Sequence, residues 1–329
     1  MAKQRKLFLN WKMLNEYTIG DSRELLKEVE SNSVDLVYID PPYCTGRDFY
    51  HFDDRFQSSK DYREILMRPL LEECHRVLTD CGNIVVHVEP KISHHIRIVL
   101  DDIFGEKRFK NEIVWISGGN HKSKKQLQRN HDTIIVYQKG TESIYNPEHK
   151  AYDEGAIKKA KTCPHRKKKY VTTALVNRQP NVVQRPNLRY EWNGHSLQWH
   201  ISKERMQMLH NDNRLEYSEK TGIPRVKKYF DELDGIPVKD VWSDIKQIQG
   251  VEKLDYATQK PVSLLNRILQ MFSNEGSIVL DPCAGSGTVG RSAALTGRKY
   301  ILFDLNSEGK KLFEESLKNY TNPLLSAMN

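Results

Sequence analysis

Short apolar runs alternate with segments of helical periodicity in the first third of the chain. The runs at residues 33–39, 83–88 and 112–116 are continuous enough to predict buried strands. Apolar residues also recur at helical spacing over residues 59–78, where Gly82 is expected to close the helix, and over residues 92–103. This order of strands and helices indicates an α/β domain built on a parallel sheet.

The alternation stops in the middle of the chain and then resumes. From Gly118 the sequence is rich in Gly, Asn, Lys and Pro, with one further strand candidate at residues 133–137. The later pattern predicts strands at residues 277–280 and 300–303, and helices at residues 262–272, 288–295 and 307–320. We therefore expect one α/β domain made of residues 1–116 and 251–329, into which residues 117–250 are inserted as a substrate-binding module.

The chain is basic, and the excess charge is concentrated in the predicted insert. Its 329 residues contain 51 Lys or Arg and 43 Asp or Glu, yet residues 116–190 alone hold 16 basic against 5 acidic side chains. Such a segment favours nucleic acid because each neutralised phosphate releases counterions, although a charge run is equally typical of a solvated surface. The side chains expected to bind DNA phosphates are Lys122, Lys124, Lys125, Arg129, Arg166, Lys167, Lys168 and Lys169.

Composition argues against several other classes of protein. No run approaches the roughly 18 apolar residues needed to cross a bilayer, and the first residues lack the apolar core of a secretory signal. The five cysteines are scattered and form no CxxC pair, so neither a disulfide framework nor a zinc site is predicted. We expect a cytoplasmic protein without a metal and without a membrane partner.

A glycine-rich turn follows one of the late predicted strands. Gly285, Gly287 and Gly290 have the GxGxxG spacing, open a predicted helix, and are followed by Asp304 at the end of the next predicted strand. This context is typical of a site for an adenosine-containing cofactor, in which the acid accepts the ribose hydroxyls. A strand-to-helix turn without a ligand is the simpler alternative. Because few residues follow Asp304, the N-terminal half must complete the sheet, which indicates a circular permutation.

The first predicted strand ends in the sequence Asp40-Pro41-Pro42-Tyr43. The Asp40 carboxylate and the Pro41 carbonyl could both accept hydrogen bonds from an exocyclic amine, which would localise its lone pair and offset the charge that develops during attack. Tyr43 could stack on the ring that carries the amine. A base inside a duplex cannot reach such a pocket unless it is flipped out of the stack. A turn with a surface aromatic residue is the simpler alternative.

At this point the sequence resembles a known family, the circularly permuted, beta-group DNA amino-methyltransferases of the Asp-Pro-Pro-Tyr type. These enzymes use S-adenosylmethionine and mostly modify adenine N6. The resemblance implies a doubly wound, mostly parallel Rossmann-like methyltransferase sheet, with a target recognition region at residues 117–250. It is carried by residues 20–22, 33–46, 74–78, 110–115, 222–245, 258–262 and 278–288.

The resemblance also implies a role for individual residues. Asp40, Pro41, Pro42 and Tyr43 would be catalytic. The residues expected to hold the methionine part of the cofactor are Asp281, Pro282, Cys283, Gly285, Ser286, Gly287 and Thr288. Asp304 would bind the ribose, Lys260 and Pro261 would lie beside the cofactor's carboxylate, and Asp21 would contact its adenine amine. Cys283 stands where the family usually has Phe, which removes some aromatic packing against the cofactor.

The sequence therefore predicts a site-specific methyltransferase that modifies adenine N6 in double-stranded DNA, with S-adenosylmethionine as cofactor. Cytosine N4 is the first alternative because the same pocket chemistry serves both amines. A nicotinamide-dependent oxidoreductase is a further alternative, but it would not explain the Asp40–Tyr43 turn. A catalytically silent DNA-binding subunit would explain neither this turn nor the glycine turn. A homodimer and a cognate restriction endonuclease stay open as partners.

Overall fold

The computed structural model describes residues 13–43, 48–49, 52–53, 58–118, 127–176, 185–248, 250–256 and 258–321. The chain divides into two compact units. The first, here called the sheet unit, is formed by Met1–Glu148 with Lys239–Asn329, and the second, the inserted unit, by His149–Val238. The inserted unit is narrower than the insert expected at residues 117–250, because the strand candidate at residues 133–137 belongs to the main sheet.

The sheet unit is organised around an eight-stranded sheet. In chain order its strands are β1 (Glu16–Ile19), β2 (Val34–Ile39), β3 (Leu78–Val88), β4 (Phe109–Trp115), β5 (Asp132–Gln138), β6 (Val241–Trp242), β7 (Ile278–Asp281) and β8 (Lys299–Asp304). The spatial order is β1-β8-β7-β2-β3-β5-β4-β6. Strand β5 is antiparallel to both of its neighbours, and the other pairings are parallel.

The two ends of the chain meet in the centre of this sheet. Strand β7 pairs in parallel with β2, with Val279 opposite Leu36 and Leu280 opposite Val37. All four of these side chains are completely buried, so the contact is part of the hydrophobic core. The predicted Rossmann-like α/β fold with a mostly parallel sheet is confirmed, and both halves of the chain complete the sheet. Strand β5 is the antiparallel exception.

In the described part of the sheet unit, α-helices of four or more residues connect or flank these strands. They are α1 (Ser22–Leu25), α2 (Arg68–Val77), α3 (Pro90–Phe104), α4 (Val262–Phe272), α5 (Thr288–Leu295) and α6 (Ser307–Thr321). Ahead of α2, the chain forms a short helical turn at Ser59–Asp61 and a π-helix at Tyr62–Met67. Helix α2 ends before Gly82, since the buried Leu78 already pairs with Val34 as the first residue of β3. No described helix is long and apolar enough to cross a membrane.

The inserted unit has its own antiparallel sheet and its own core. The sheet order is Leu215–Tyr217, Pro224–Tyr229, Lys169–Ala174 and Lys161–Thr162. A hairpin of Arg189–Trp192 and His195–Gln198, a strand pair of His149–Lys150 and Ile236–Pro237, and helices at Glu154–Lys159 and Lys203–Asn211 complete it. Its buried core consists of Leu175, Trp199, Met206, Leu209 and Leu215.

Candidate active site

The Asp40–Tyr43 turn and the glycine turn line one cavity. Each turn follows the carboxyl end of a strand, and because β2 and β7 are adjacent and parallel, both turns lie at the same edge of the sheet. The expected site residues that line the cavity are Asp21, Asp40, Pro41, Pro42, Tyr43, Lys260, Asp281, Pro282, Cys283, Gly285, Ser286, Thr288 and Asp304. Pro261 and Gly287 are not among the lining residues; they are the N-cap residues of α4 and α5.

The glycine turn is held in a conformation that disfavours side chains. Gly285 has φ +51° and Gly287 has φ +73°, both in the left-handed region. A Cβ atom on Gly287 would lie 2.5 Å from the Phe313 ring of α6. The Gly285 carbonyl accepts a hydrogen bond of 2.6 Å from the Tyr17 hydroxyl. Helix α6 and strand β1 therefore fix the path of the backbone at this wall of the cavity.

Two carboxylates at neighbouring strand ends are fixed by backbone amides. Asp304, at the end of β8, accepts hydrogen bonds of 2.8 Å from the Gly285 and Asn306 amides, one on each oxygen. Asp281, at the end of β7, accepts one of 2.9 Å from the Cys283 amide. Burial raises the pKa of Asp304 above its usual range. The pKa of Asp281 is raised well above its usual range, first by burial and then by the neighbouring Asp40 and Asp304 charges. The cavity therefore has an acidic wall.

Asp40 carries two side-chain partners. The Tyr43 hydroxyl donates to Asp40 Oδ1, and the Lys260 ammonium contacts Asp40 Oδ2. The Lys260 Nζ atom also lies 5.4 Å from the centre of the Tyr43 ring, which is within the range of a cation–π contact. Burial, together with the Asp40 charge, raises the pKa of the Tyr43 hydroxyl well above its ordinary value. The hydroxyl is therefore protonated and acts as a donor at neutral pH.

Asp21, expected at the cofactor's adenine, has a structural role as well as a place in the cavity. It is the N-cap of α1 and accepts a hydrogen bond of 2.9 Å from the Arg23 amide. Its second oxygen lies 2.6 Å from the Arg23 guanidinium, and this hydrogen-bonded partner lowers the pKa of Asp21. The carboxylate is thus ionised and held in place by its own helix.

Sequence reasoning missed three tyrosines and a serine at this site. Tyr256 is buried beside Gly285, and the Ser22 hydroxyl donates to the carbonyl of Pro282. Tyr38 lines the cavity and could have been found, because residues two apart on a strand share a face and Asp40 follows at that spacing. Tyr256, like the Tyr17 described above, carries no such signal, since long-range packing alone brings it to the glycine turn.

Tyr38 begins a buried polar chain that runs away from the cavity. Its hydroxyl lies 2.9 Å from Nδ1 of His87, a residue of β3 with no exposed surface. The Nε2 atom of His87 is 3.4 Å from Asp132 at the start of β5. Burial raises the pKa of Tyr38 well above its ordinary value, so the hydroxyl stays protonated. The chain ties together three neighbouring strands of the sheet under the Asp40–Tyr43 turn.

The first expected phosphate-binding cluster is only partly described. Lys122, Lys124 and Lys125 lie outside the described residues. Arg129 belongs to the sheet unit, and its exposed guanidinium forms an ion pair with Glu89. The side chain is therefore available at the surface but has an internal counter-charge.

The second expected cluster lies in the inserted unit and is largely paired within it. Arg166 contacts Asp212 and lies over the Tyr229 ring at 5.2 Å, and Lys168 contacts Asp231. The Lys169 ammonium donates to the Lys158 and Ala160 carbonyls at 3.0 and 2.8 Å. Lys167 is in the left-handed region with φ +56°. Arg166 and Lys168 are therefore balanced by nearby acids, whereas Lys169 is held by backbone carbonyls.

The chain matches the N6_N4_Mtase family, described as DNA methylase, over residues 34–315, and it belongs to that family. The match spans both turns of the cavity and the inserted unit. The fold and the cavity agree with this assignment, since the two turns that resemble the family's motifs lie at adjacent strand ends.

Individual relatives give the same class. The chain is 29% identical over 323 residues to the type II methyltransferase M.EcaI of Enterobacter cloacae, spanning 92% of this chain and 68% of that protein. It is 27% identical over 296 residues to the DNA adenine methyltransferase YhdJ of Escherichia coli, spanning 89% and 79%. The fold is similar to that of TTHA0409 from Thermus thermophilus, complexed with S-adenosyl-L-methionine, with a TM-score of 0.51, 18% identity and coverage of 94% and 95%.

Proposed function

We propose that this protein transfers the methyl group of S-adenosylmethionine to adenine N6 of a flipped-out base in double-stranded DNA. The observation that carries the proposal is the shared cavity, in which the Asp40–Tyr43 turn faces the same space as the glycine turn. One turn offers acceptors for an amine, and the other offers a glycine-rich backbone and the carboxylate of Asp304 at the adjacent strand end. The adenine methyltransferase named among the relatives supports adenine as the target base.

The residues at the glycine turn fit an adenosine-containing sulfonium cofactor. Gly285 leaves the backbone without a side chain at the cavity wall, and the half-buried Asp304 carboxylate lies at the end of the adjacent strand, where it would accept the ribose hydroxyls. Asp21 would accept the adenine amine, and Ser286 and Thr288 add hydroxyl groups to the lining. When bound, the cofactor supplies an electrophilic methyl group on a positively charged sulphur.

The Asp40–Tyr43 turn would orient and activate the target amine. The Asp40 carboxylate would accept an N–H of the amine and thereby localise its lone pair, and Tyr43 would pack against the ring. Orientation and electrostatics are sufficient for a direct transfer, so no covalent enzyme intermediate is needed. Burial raises the pKa of the Cys283 thiol well above its ordinary value, which opposes a role as the nucleophile of cytosine C5 chemistry.

We assign target recognition to residues 117–250, of which His149–Val238 form the inserted unit. A unit with its own core and basic side chains on short strands and turns can present those side chains to DNA without changing the catalytic sheet. A role in restriction and modification, with an endonuclease partner, is supported by the names of relatives such as M.EcaI and the StyLTI Mod subunit of Salmonella typhimurium. A homodimer stays a prediction.

The test is to express the chain in a host that lacks DNA methylation and to map modified bases by single-molecule sequencing. We expect N6-methyladenine at one recurring sequence. N4-methylcytosine at one sequence would instead support the alternative target. Unmodified DNA in cells that contain the folded protein would refute the proposal.

A further inference from the structure

Lys260 stands out among the residues of the cavity because its ammonium lies on the catalytic turn. The residue precedes α4, and its side chain is only 12% exposed. The Nζ atom contacts Asp40 Oδ2 and lies 3.5 Å from the Thr258 carbonyl. The contact was not expected, since the family resemblance implied that Lys260 would lie beside the cofactor's carboxylate.

The Lys260 ammonium occupies the position that the target amine needs. Asp40 Oδ1 already accepts the Tyr43 hydroxyl, so Oδ2 is the oxygen that an incoming amine would use. The ammonium is also 5.4 Å from the centre of the Tyr43 ring, on which the base is proposed to stack. An amine that binds Asp40 in the proposed manner must therefore compete with the Lys260 ammonium for Oδ2, so its capture is weakened while the ion pair persists.

Moving Lys260 is favoured by another anion, because separating a largely buried ion pair, here with side chains 12% and 16% exposed, is unfavourable without a replacement partner. The other described carboxylates in or near the cavity are less suitable partners. Asp132, whose charge acts on Lys260, is held beside His87 at 3.4 Å and does not line the cavity. Asp21 is paired with Arg23, and Asp304 is engaged by two backbone amides. Asp281 is buried, and its raised pKa favours the neutral form. The cofactor of the proposed function carries a carboxylate of its own.

We propose that Lys260 is a positioning residue with two alternative partners, the Asp40 carboxylate and the carboxylate of the bound cofactor. Transfer of Lys260 from the first to the second exposes Asp40 Oδ2 to the target amine. The inference rests on the proposed function and adds a coupling to it: cofactor binding strengthens capture of an amine-bearing base. By linkage, the base strengthens cofactor binding by the same factor.

The coupling can be measured without catalysis in the wild-type protein. Duplexes carrying the mapped site, with either adenine or purine at the target position, are titrated by fluorescence anisotropy with and without saturating S-adenosylhomocysteine. We expect this carboxylate-bearing product to tighten binding of the adenine duplex by about fivefold or more, a typical allosteric coupling. Binding of the purine duplex, which lacks the amine, should change less than about twofold.

A second ligand isolates the carboxylate. Methylthioadenosine has the adenosine and the thioether sulphur but no amino acid, so it cannot draw Lys260 away from Asp40. We expect saturating methylthioadenosine to leave the affinity for the adenine duplex unchanged. The same tightening with methylthioadenosine as with S-adenosylhomocysteine would overturn the proposal.

The variant Lys260→Met should bind the adenine duplex equally well with and without S-adenosylhomocysteine, because the ammonium that blocks Asp40 is gone. Lys253→Met, which removes an exposed lysine of the same loop, is the matched control and should keep the wild-type coupling. Wild-type coupling in Lys260→Met would overturn the inference. If that variant does not fold, the comparison of the two ligands in the wild type decides.

Failure of this inference can be told apart from failure of the proposed function. If the wild-type protein neither binds S-adenosylhomocysteine nor methylates DNA, both are wrong. If it does both but shows no coupling that depends on Lys260, only the role of Lys260 is wrong.

Discussion

Charged side chains are held differently in the cavity and in the inserted unit. In the cavity, Asp281 and Asp304 are fixed by backbone amides at strand ends; Asp281 is buried and Asp304 is half-buried. In the inserted unit, Arg166 and Lys168 are paired with acidic side chains at the surface. A charge fixed by the backbone has one geometry and is sensitive to substitution, whereas an exposed pair contributes about 0–1 kcal/mol and can exchange its partner for a phosphate.

The largest expected effect is on catalysis at the cavity. Asp40→Ala removes the acceptor of the target amine, so we expect the rate of tritiated methyl transfer to fall by roughly 10²- to 10³-fold or more. Binding of S-adenosylhomocysteine should persist. Glu72→Ala, which removes an exposed acid of α2, is the control and should keep the wild-type rate. Unchanged turnover in Asp40→Ala would refute the catalytic assignment.

The next effect compares two glycines with similar backbone angles. Gly287 and Gly194 have φ +73° and +76°, but a Cβ on Gly287 would overlap Phe313, whereas a Cβ on Gly194 meets no atom within 4 Å. Gly194→Ala should lower the free energy of unfolding by about 1–2 kcal/mol through backbone strain alone. Gly287→Ala should lower it by roughly a further 1–3 kcal/mol through overpacking.

Denaturant titration of both variants checks this expectation. Equal destabilisation would mean that the packing of α6 on the glycine turn does not contribute.

A smaller effect concerns the dependence of stability on pH. Because the folded-state pKa of Asp281 is raised, the folded protein binds more protons than the unfolded chain above the ordinary Asp pKa of 3.8. The free energy of unfolding therefore falls as the pH rises from there toward the folded-state pKa, by at most about 1.4 kcal/mol per pH unit from this group. Asp281→Asn should remove this contribution.

Chemical unfolding of wild type, Asp281→Asn and the exposed control Asp234→Asn at several pH values would measure it. Parallel curves for wild type and Asp281→Asn would show that the carboxyl group titrates normally in the folded protein.

The smallest effect tests the surface charges of the inserted unit. A lysine that neutralises one phosphate contributes about 0.9 to the slope of log affinity against log salt. Lys167→Gln should lower the slope by about this amount. Lys168→Gln should lower it less, because Lys168 already has Asp231 as a counter-charge. Salt titrations of DNA binding measure both slopes, and equal losses would mean that the ion pair opens fully on DNA.

The backbone fold could largely be predicted from the sequence, whereas most side-chain contacts could not. Strands β2 and β7 were predictable because continuous apolar runs indicate burial on both faces, and the turns that follow them were predictable from Pro and Gly. The antiparallel direction of β5 was not, since an apolar run carries no information about direction. The predicted strands and turns define the Rossmann-like α/β fold, which is confirmed.

The side-chain contacts of the cavity were much harder to predict from the sequence. Lys260 and Asp40 are 220 positions apart, and nothing in either local pattern indicates that they touch. The contact of Gly287 with the cofactor stays a prediction, and its close packing against Phe313 of α6 could not be predicted from the glycine spacing. The charge count of residues 116–190 also could not reveal that Arg166 and Lys168 have acidic partners from later in the chain. The assigned roles of the site residues stay predictions.

The central claim is that the two turns serve one reaction on an amine of DNA. The most direct test incubates the purified protein with duplex DNA and S-adenosylmethionine bearing a trideuterated methyl group, followed by mass spectrometry of the nucleosides. The account predicts trideuterated N6-methyldeoxyadenosine in wild-type reactions and none with Asp40→Ala. Label found only on cytosine C5, or absent from DNA although the cofactor binds, would contradict it.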